Sequence, residues 1–322
     1  ITYEFRIKQL KKLKAALNKF EPELIKALKK DLGKSEFEAY ASEIGFSLYD
    51  ASHTIKHLKK WMKPKKVKTP FVSQPGSSKI QYAPLGVNLI ISPFNYPIGL
   101  TFAPLIAAIA AGNTAVIKTA SVTPSCSKVI ESLIKETFSP EYIAYVPGSV
   151  KETTILLKQK FDHIFFTGST RVGTIVMEAA AKHLTPVTLE LGGKSPCIVH
   201  SDAKLDIAVK RIVYGKFLNA GQTCVAPDYI LVHEDIKDSF VEKLKSRIIE
   251  IYGTDASNSP EFGRIVSKQH VERLTGLIES KKLVYGGKIK KTDRYVEPTI
   301  LTEVTLDDAV MQDEIFGPIL PI

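Results

Sequence analysis

Cysteine is scarce in this 322-residue sequence: only Cys126, Cys197 and Cys224 occur, far apart and never as CxxC. That spacing excludes a disulfide framework and a zinc ribbon, and it makes a reducing cytoplasm the expected location. Long apolar runs are also missing. The most apolar segment, Ile98 to Ala111, falls short of bilayer length and contains Pro104, so stable membrane insertion is not expected. The Lys-rich opening does not read as a secretory leader, and none is expected. What is present is ordinary for a folded protein: 44% apolar and 24% charged residues, enough to form a sizeable core, with a length that allows about two domains.

The net charge of +10 is unevenly placed. Residues 1–70 hold 17 Lys and Arg against 8 Asp and Glu, and the rest of the chain is nearly balanced. A basic cap of this kind can touch nucleic acid or an anionic membrane. Here the lysines alternate with Phe5, Leu10, Leu13, Leu17, Phe20, Leu24 and Leu28 at helical spacing, the pattern of helices with one solvated face. No nucleic-acid partner is expected.

Residues 1–62 read as two or three amphipathic helices interrupted near Asp31–Ser35, and 63–78 as a Pro- and Gly-containing connector or extended arm. From Ile80 the character changes. Short β-branched runs (Val87–Ile91, Ala115–Lys118, Ile143–Val146, His163–Thr167, Val187–Leu189, Cys197–His200) alternate with helical patterns. That alternation predicts βαβ units and an α/β, doubly wound domain with a mostly parallel sheet. After about residue 191 a helix, the strand Tyr229–Val232 and another helix suggest a second α/β domain.

Four segments carry candidate chemistry. In Phe165-Phe166-Thr167-Gly168-Ser169-Thr170-Arg171-Val172-Gly173 a strand pattern runs through a small-residue turn into a helix. Such a turn can place N–H groups against a pyrophosphate, or it is simply a tight turn. It is neither GxGxxG nor a P-loop. Cys224 lies between Gly and Pro turn signals, so it is either a loop nucleophile or a packing residue. Glu190 ends an apolar strand before Gly192-Gly193, where apolar neighbours would suit a general base and an ion pair is the plainer alternative. Asn95, in Ser92-Pro93-Phe94-Asn95-Tyr96-Pro97, is either a fixed amide donor or a turn residue. His53 and His57 have i, i+4 spacing but suggest no third ligand, so no metal is expected.

Taken in order, Asn95, Gly168-Ser169, Glu190 and Cys224, together with Ala111-Gly112-Asn113-Thr114-Ala115-Val116-Ile117-Lys118 and Gln312-Asp313-Glu314-Ile315-Phe316-Gly317-Pro318, resemble the aldehyde dehydrogenase superfamily. The N-terminal style and Gly221-Gln222-Thr223-Cys224-Val225-Ala226-Pro227-Asp228-Tyr229 look most like its class 3-like branch, which acts on medium-chain, fatty or aromatic aldehydes. The resemblance implies a Rossmann-like cofactor domain with N-terminal helices (1–190), an oligomerisation arm near 71–84, and a catalytic domain (191–322).

It further implies NAD(P)-dependent oxidation of a small-molecule aldehyde to the acid. Cys224 attacks the carbonyl carbon, Asn95 holds the oxyanion, and Glu190 activates the water that hydrolyses the thioester. The cofactor falls to Lys118, Ser121, Gly168, Ser169, Gly173, Leu191, Glu314 and Phe316. Phe94, Tyr96, Thr223 and Val225 line the substrate entrance. NAD is the expected cofactor. The family often carries a carboxylate at the position of Ser121, and its absence removes the repulsion of a 2′-phosphate, so NADP is expected to be tolerated.

Family members continue past the Phe316 region, and this sequence stops at Ile322 in mid-motif. Expectations therefore include a homodimer if full length, and an inactive fragment if the chain truly ends there. A Cys-dependent hydrolase or acyltransferase, with a distant base such as His163 or His200, is the alternative of another class.

Overall fold

A computed structural model describes residues 1–322. The first elements are α1 (Tyr3–Lys19), α2 (Glu21–Leu32), α3 (Glu36–Ala39), a π-helical turn at Tyr40–Ile44, and α4 (Gly45–Trp61). Next come β1 (Lys65–Val67), β2 (Ser78–Ile80), β3 (Val87–Ile91), α5 (Gly99–Ala111), β4 (Thr114–Lys118), α6 (Pro124–Thr137), β5 (Ile143–Tyr145), α7 (Val150–Leu157), β6 (His163–Gly168), α8 (Thr170–Ala181) and β7 (Val187–Leu191). The chain divides into two compact units: Ile1–Leu24, Tyr40–Ser121 and Cys126–Glu190 form one, and Ile25–Ala39, Val122–Ser125 and Leu191–Ile322 form the other.

The first unit is built on a five-stranded sheet of order β5-β4-β3-β6-β7. β3 pairs in parallel with β4 and β6, and β4 with β5. The chain thus starts in the middle, winds out one way, returns and winds out the other. This is the doubly wound arrangement, in which the loops leaving the two central strands diverge at a topological switch point. β3 buries all but its first residue, as expected of a central strand covered on both faces.

α5 follows β3 and is apolar nearly throughout, without one charged residue of its own. It ends at Gly112, in the left-handed region at φ 87°, whose N–H bonds back to Ala108 and Ile109. Arg6 of α1 closes that end from outside, donating from Nη1 to the Ala110 carbonyl at 2.9 Å. At the other end the buried Glu43 accepts from the N–H groups of Ile98 and Gly99. A cation at the C-terminus and an anion at the N-terminus both complement the helix dipole. The connector is more ordered than its composition suggests. β1 and β2 pair antiparallel, Lys65 opposite Ile80, and the intervening Phe71 and Val72 are over 90% exposed.

The second unit adds β8 (Pro196–Val199), α9 (Leu205–Phe217), β9 (Tyr229–Val232), α10 (Lys237–Tyr252), α11 (Lys268–Thr275), β10 (Leu283–Tyr285), β11 (Ile289–Lys290), β12 (Tyr295–Val296), β13 (Thr299–Leu301), α12 (Ala309–Gln312) and β14 (Ile319–Pro321). β8 and β9 pair in parallel, as do β13 and β14, while β10 joins β13 antiparallel. Phe217, Phe240, Leu244, Ile248, Phe262, Tyr295 and Ile300 form its core. The fold is therefore mixed α/β, as its alternating pattern predicts. No helix is long and apolar enough to cross a membrane.

Candidate active site

In the first unit, three of the sequence-selected segments leave the same edge of the sheet. Ile91 of β3 is in register with Lys118 of β4 and with Phe166 of β6. Ser92–Pro97, Lys118–Ser121 and Gly168–Ser169 consequently emerge side by side at the carboxyl ends of parallel strands, where open α/β sheets bind ligands.

Asn95 is buried, with Phe94 and Tyr96 half-buried beside it. Its loop is tied down: the Ser92 N–H donates to the Lys118 carbonyl at 3.0 Å, and the buried Thr101 hydroxyl lies 2.7 Å from Ser92 Oγ and 2.6 Å from the Pro97 carbonyl. A hydroxyl has one proton, so Thr101 donates to the carbonyl and accepts from Ser92.

Lys118 is buried, its Nζ donating to the carbonyls of Thr119 (2.6 Å) and Gly148 (2.8 Å). Burial holds its pKa below the usual lysine value, with Glu152 acting in the opposite sense. The following residues are braced by Thr119 Oγ1 to Tyr145 (2.6 Å) and to Ser127 (2.8 Å), while Ser121 is exposed. Ser169 is the N-cap of α8, and its hydroxyl accepts from the Val172 N–H. Gly173, one turn in, is buried and donates to the Ser169 carbonyl at 2.9 Å.

Glu190 is exposed near the end of β7, which corrects the expectation of a carboxylate among apolar neighbours. β7 is an edge strand, its residues only partly covered, so the apolar run Val187–Leu189 does not enclose the acid that follows it. Of the histidines considered as a hydrolase base, His163 bonds Thr188 Oγ1 at 2.9 Å, and His200 is a surface partner of Asp202.

In the second unit, Cys224 is half-exposed in the turn closed by Ala226 N–H on the Thr223 carbonyl at 3.0 Å. Thr223 is half-buried and Val225 exposed. The approach to this turn is unusual: Asn219, Ala220 and Gly221 are all left-handed, at φ 53°, 51° and 75°. Two non-glycine residues there store strain that the surroundings must hold. Gln222, buried, does so: Nε2 donates to the carbonyls of Asn219 and Arg264, each at 3.0 Å, and Oε1 accepts from Val266 N–H at 2.9 Å. Cys126 is buried in α6 instead, and Cys197 is half-buried in β8, where burial raises its thiol pKa.

The same unit holds the Glu314 segment against this turn. A side chain on Gly221 would run into the backbone of Gly317 and Pro318. Asp228 accepts from the Ile315 N–H at 3.0 Å and pairs with Lys194, which also donates to the carbonyls of Val310 and Asp313. Glu314 sits against Gly192, where a β-carbon would clash with its carboxylate, and accepts from the Gly193 N–H. Burial raises its pKa, a shift opposed by Gly193, Arg273 and Lys216. Half-buried Phe316 takes φ 47°, and Leu191 is half-buried just before the glycines.

Lys194, Asp228, Arg273 and the fully buried Lys216 are members of this group that pattern reading passes over. Paired glycines before Lys194 and the Pro before Asp228 were the available signals. Lys216 has none, since it sits in an ordinary amphipathic helix. Burial pushes its pKa down to about 8.

A family model, sequence relatives and solved structures all match this chain. The model of the aldehyde dehydrogenase family matches residues 1–322. The chain is 52% identical over 320 residues to 4,4'-diaponeurosporen-aldehyde dehydrogenase of Staphylococcus aureus, covering 99% of this chain and 70% of that protein. It is 46% identical over 319 residues to the dimeric NADP-preferring aldehyde dehydrogenase of Rattus norvegicus, with the same coverage of each. A solved structure of a substrate-bound state of Staphylococcus aureus AldH superposes with a TM-score of 0.97 at 51% identity, over all of this chain and 70% of that one. The fold and these matches define an oxidoreductase. The chain belongs to the aldehyde dehydrogenase family, and its relatives fit the class 3-like branch.

Proposed function

We propose that this protein oxidises an apolar aldehyde to the carboxylic acid, using NAD or NADP, through a thioester on Cys224. The observation that carries the reading is the Cys224 turn: among three cysteines it alone lies on a loop held in a strained left-handed approach by a buried amide. Strain retained at that position is characteristic of a working site rather than of packing.

The residues suit a dinucleotide. Ser169 caps the helix that offers N–H groups to a pyrophosphate. The half-buried Glu314 offers a carboxylate and Phe316 a ring to the nicotinamide riboside, and the pinned Lys118 ammonium offers donors to the adenosine ribose. Gly168, Gly173 and Leu191 shape the backbone nearby. Bound there, the cofactor supplies the two-electron acceptor that aldehyde oxidation requires.

The chain supplies the rest. The Cys224 thiolate adds to the carbonyl carbon, and the oxyanion is held by the Asn95 amide and the Cys224 N–H. At the thioester level Glu190 takes a proton from water as it attacks the acyl carbon, and Cys224 leaves as thiolate. Exposure gives Glu190 direct access to that water. Phe94, Tyr96, Thr223 and Val225 meet the substrate. The name of the staphylococcal relative supports a long apolar aldehyde. The exposed Phe71 and Val72 of the arm support a homodimer, and three cysteines outside any disulfide support a cytoplasmic setting.

An aldehyde panel run with each cofactor on the full chain tests the reading. Cys224→Ala should abolish formation of reduced nicotinamide and leave dinucleotide binding intact, and turnover surviving in that variant would refute the assignment.

A further inference from the structure

We propose that Glu43 is a positioning residue for this oxidation: its buried carboxylate, held across to the first N–H groups of α5, sets where Asn95 presents its amide. The inference rests on the reading of Asn95 as the oxyanion donor.

α5 begins without a cap of its own. Its N-cap is Ile98, in helical geometry with no side-chain bond, and its first turn contains no acid. Ile98 and Gly99 would leave N–H groups unanswered in a buried place, which is costly. Glu43 answers both with one oxygen, at 2.7 Å and 3.3 Å, from 55 and 56 residues away. It is itself wholly buried, a position a carboxylate holds only when bonded.

It comes from the π-helical turn Tyr40–Ile44, a wide turn that re-aims side chains and recurs at functional sites. The turn and the helix start pack backbone to backbone: a β-carbon built on Gly99 would lie 3.7 Å from the Ser42 carbonyl and 3.8 Å from Glu43 Cα.

Asn95 lies three residues before Ile98, on a loop with little slack. Pro97 fixes its own φ, and Leu100 N–H bonds the Tyr96 carbonyl at 2.9 Å. The Ser92–Thr101–Pro97 chain of hydroxyl bonds closes the loop on itself, and Ser92 N–H ties its start to β4. The start is thus fixed to the sheet and the end to Glu43. A change in the reach of Glu43 moves the first turn of α5, and Asn95 moves with it.

A double-mutant cycle on the full chain tests this. Glu43→Asp withdraws the carboxylate by one methylene, and kcat/KM for aldehyde should fall between about 10- and 100-fold, with the Kd for NAD unchanged. Affinity for a trifluoromethyl ketone, which adds to a thiol as an oxyanion, should fall in parallel, which loss of stability alone would not cause. On an Asn95→Ala background the same change should cost nothing further. The isosteric Thr101→Val, which cuts the bracing at the other side of the loop, should repeat the pattern. Should Glu43→Asp fail to fold, Glu43→Gln, keeping the reach with a weaker acceptor, is read on the same cycle.

Equal losses on both backgrounds, or full kcat/KM in the folded Glu43 variant, overturn the proposal while leaving Asn95 in its role. Full turnover in Asn95→Ala alone removes the reading on which it rests.

Discussion

Single side chains carry two expectations. Glu190, exposed on an edge strand, acts after the oxidation in the proposed scheme. Glu190→Gln should therefore keep a rapid first burst of reduced nicotinamide and lose steady-state turnover by about 10²- to 10⁴-fold, as rapid-mixing absorbance would record. Lys216 is a different case. Its folded pKa of about 8 lies below the unfolded value, because burial penalises the ammonium. Between those values the unfolded chain binds more protons, so this lysine makes stability rise with pH from about 8 toward 10.4. Below pH 8 its penalty is fully present. Denaturant melts across that window should show the rise in the parent and a flatter profile in Lys216→Met. Neither site was visible as such in the residue pattern. An apolar run before an acid does not reveal whether its strand is central or at an edge, and a lysine in an amphipathic helix does not reveal that it is fully buried.

Elements with internal regularity were legible and those without it were not. The runs Val87–Ile91 and Tyr229–Val232 are strands with the bounds their β-branched residues suggest, and α5 begins one residue from its predicted start. Beyond Tyr252 the strands are only two or three residues long, too short to show alternation, and their pairing is decided by tertiary contact. The connector shows the same limit, since composition reads as loop where Lys65–Val67 and Ser78–Ile80 pair. The capping of α5 is the clearest failure: its start is legible, but no residue near Ile98 shows where the acceptor comes from, because it belongs to Glu43. The left-handed run before Cys224 gives an element-level test. Gly221→Ala adds a β-carbon at φ 75° facing the Gly317 backbone. It should cost at least about 1–3 kcal/mol in equilibrium unfolding, more than Gly276→Ala, whose β-carbon meets its nearest neighbour at an ordinary 3.5 Å.

At the scale of the whole molecule, the sheet order β5-β4-β3-β6-β7 brings segments far apart in sequence to one edge, and this is why several weak motifs gain force together. Ligand binding there should stabilise the fold as a unit. At dinucleotide concentrations of about 100 times Kd the gain is about 2.7 kcal/mol, measurable as a rise in Tm. Ser121 is exposed and carries no charge, so NADP should shift Tm alongside NAD. Ser121→Glu should suppress the NADP shift and spare that of NAD, and equal shifts in the variant would show that position 121 does not face the adenosine ribose. Much of the charge asymmetry is carried by basic residues of α1, α2 and α4, helices that also bury apolar residues, while Lys63, Lys65, Lys66 and Lys68 belong to the connector.

The guanidinium of Arg6 and the carboxylate of Glu43 stand at opposite poles of one uncharged rod, and both are encoded before the sheet begins. The leading helices are therefore not packaging around a nucleotide fold that could stand without them. Trimming the first forty-odd residues to ease production would unplug the sheet's most apolar helix at both terminals, and the damage would surface far from the cut, in the loop that carries the amide.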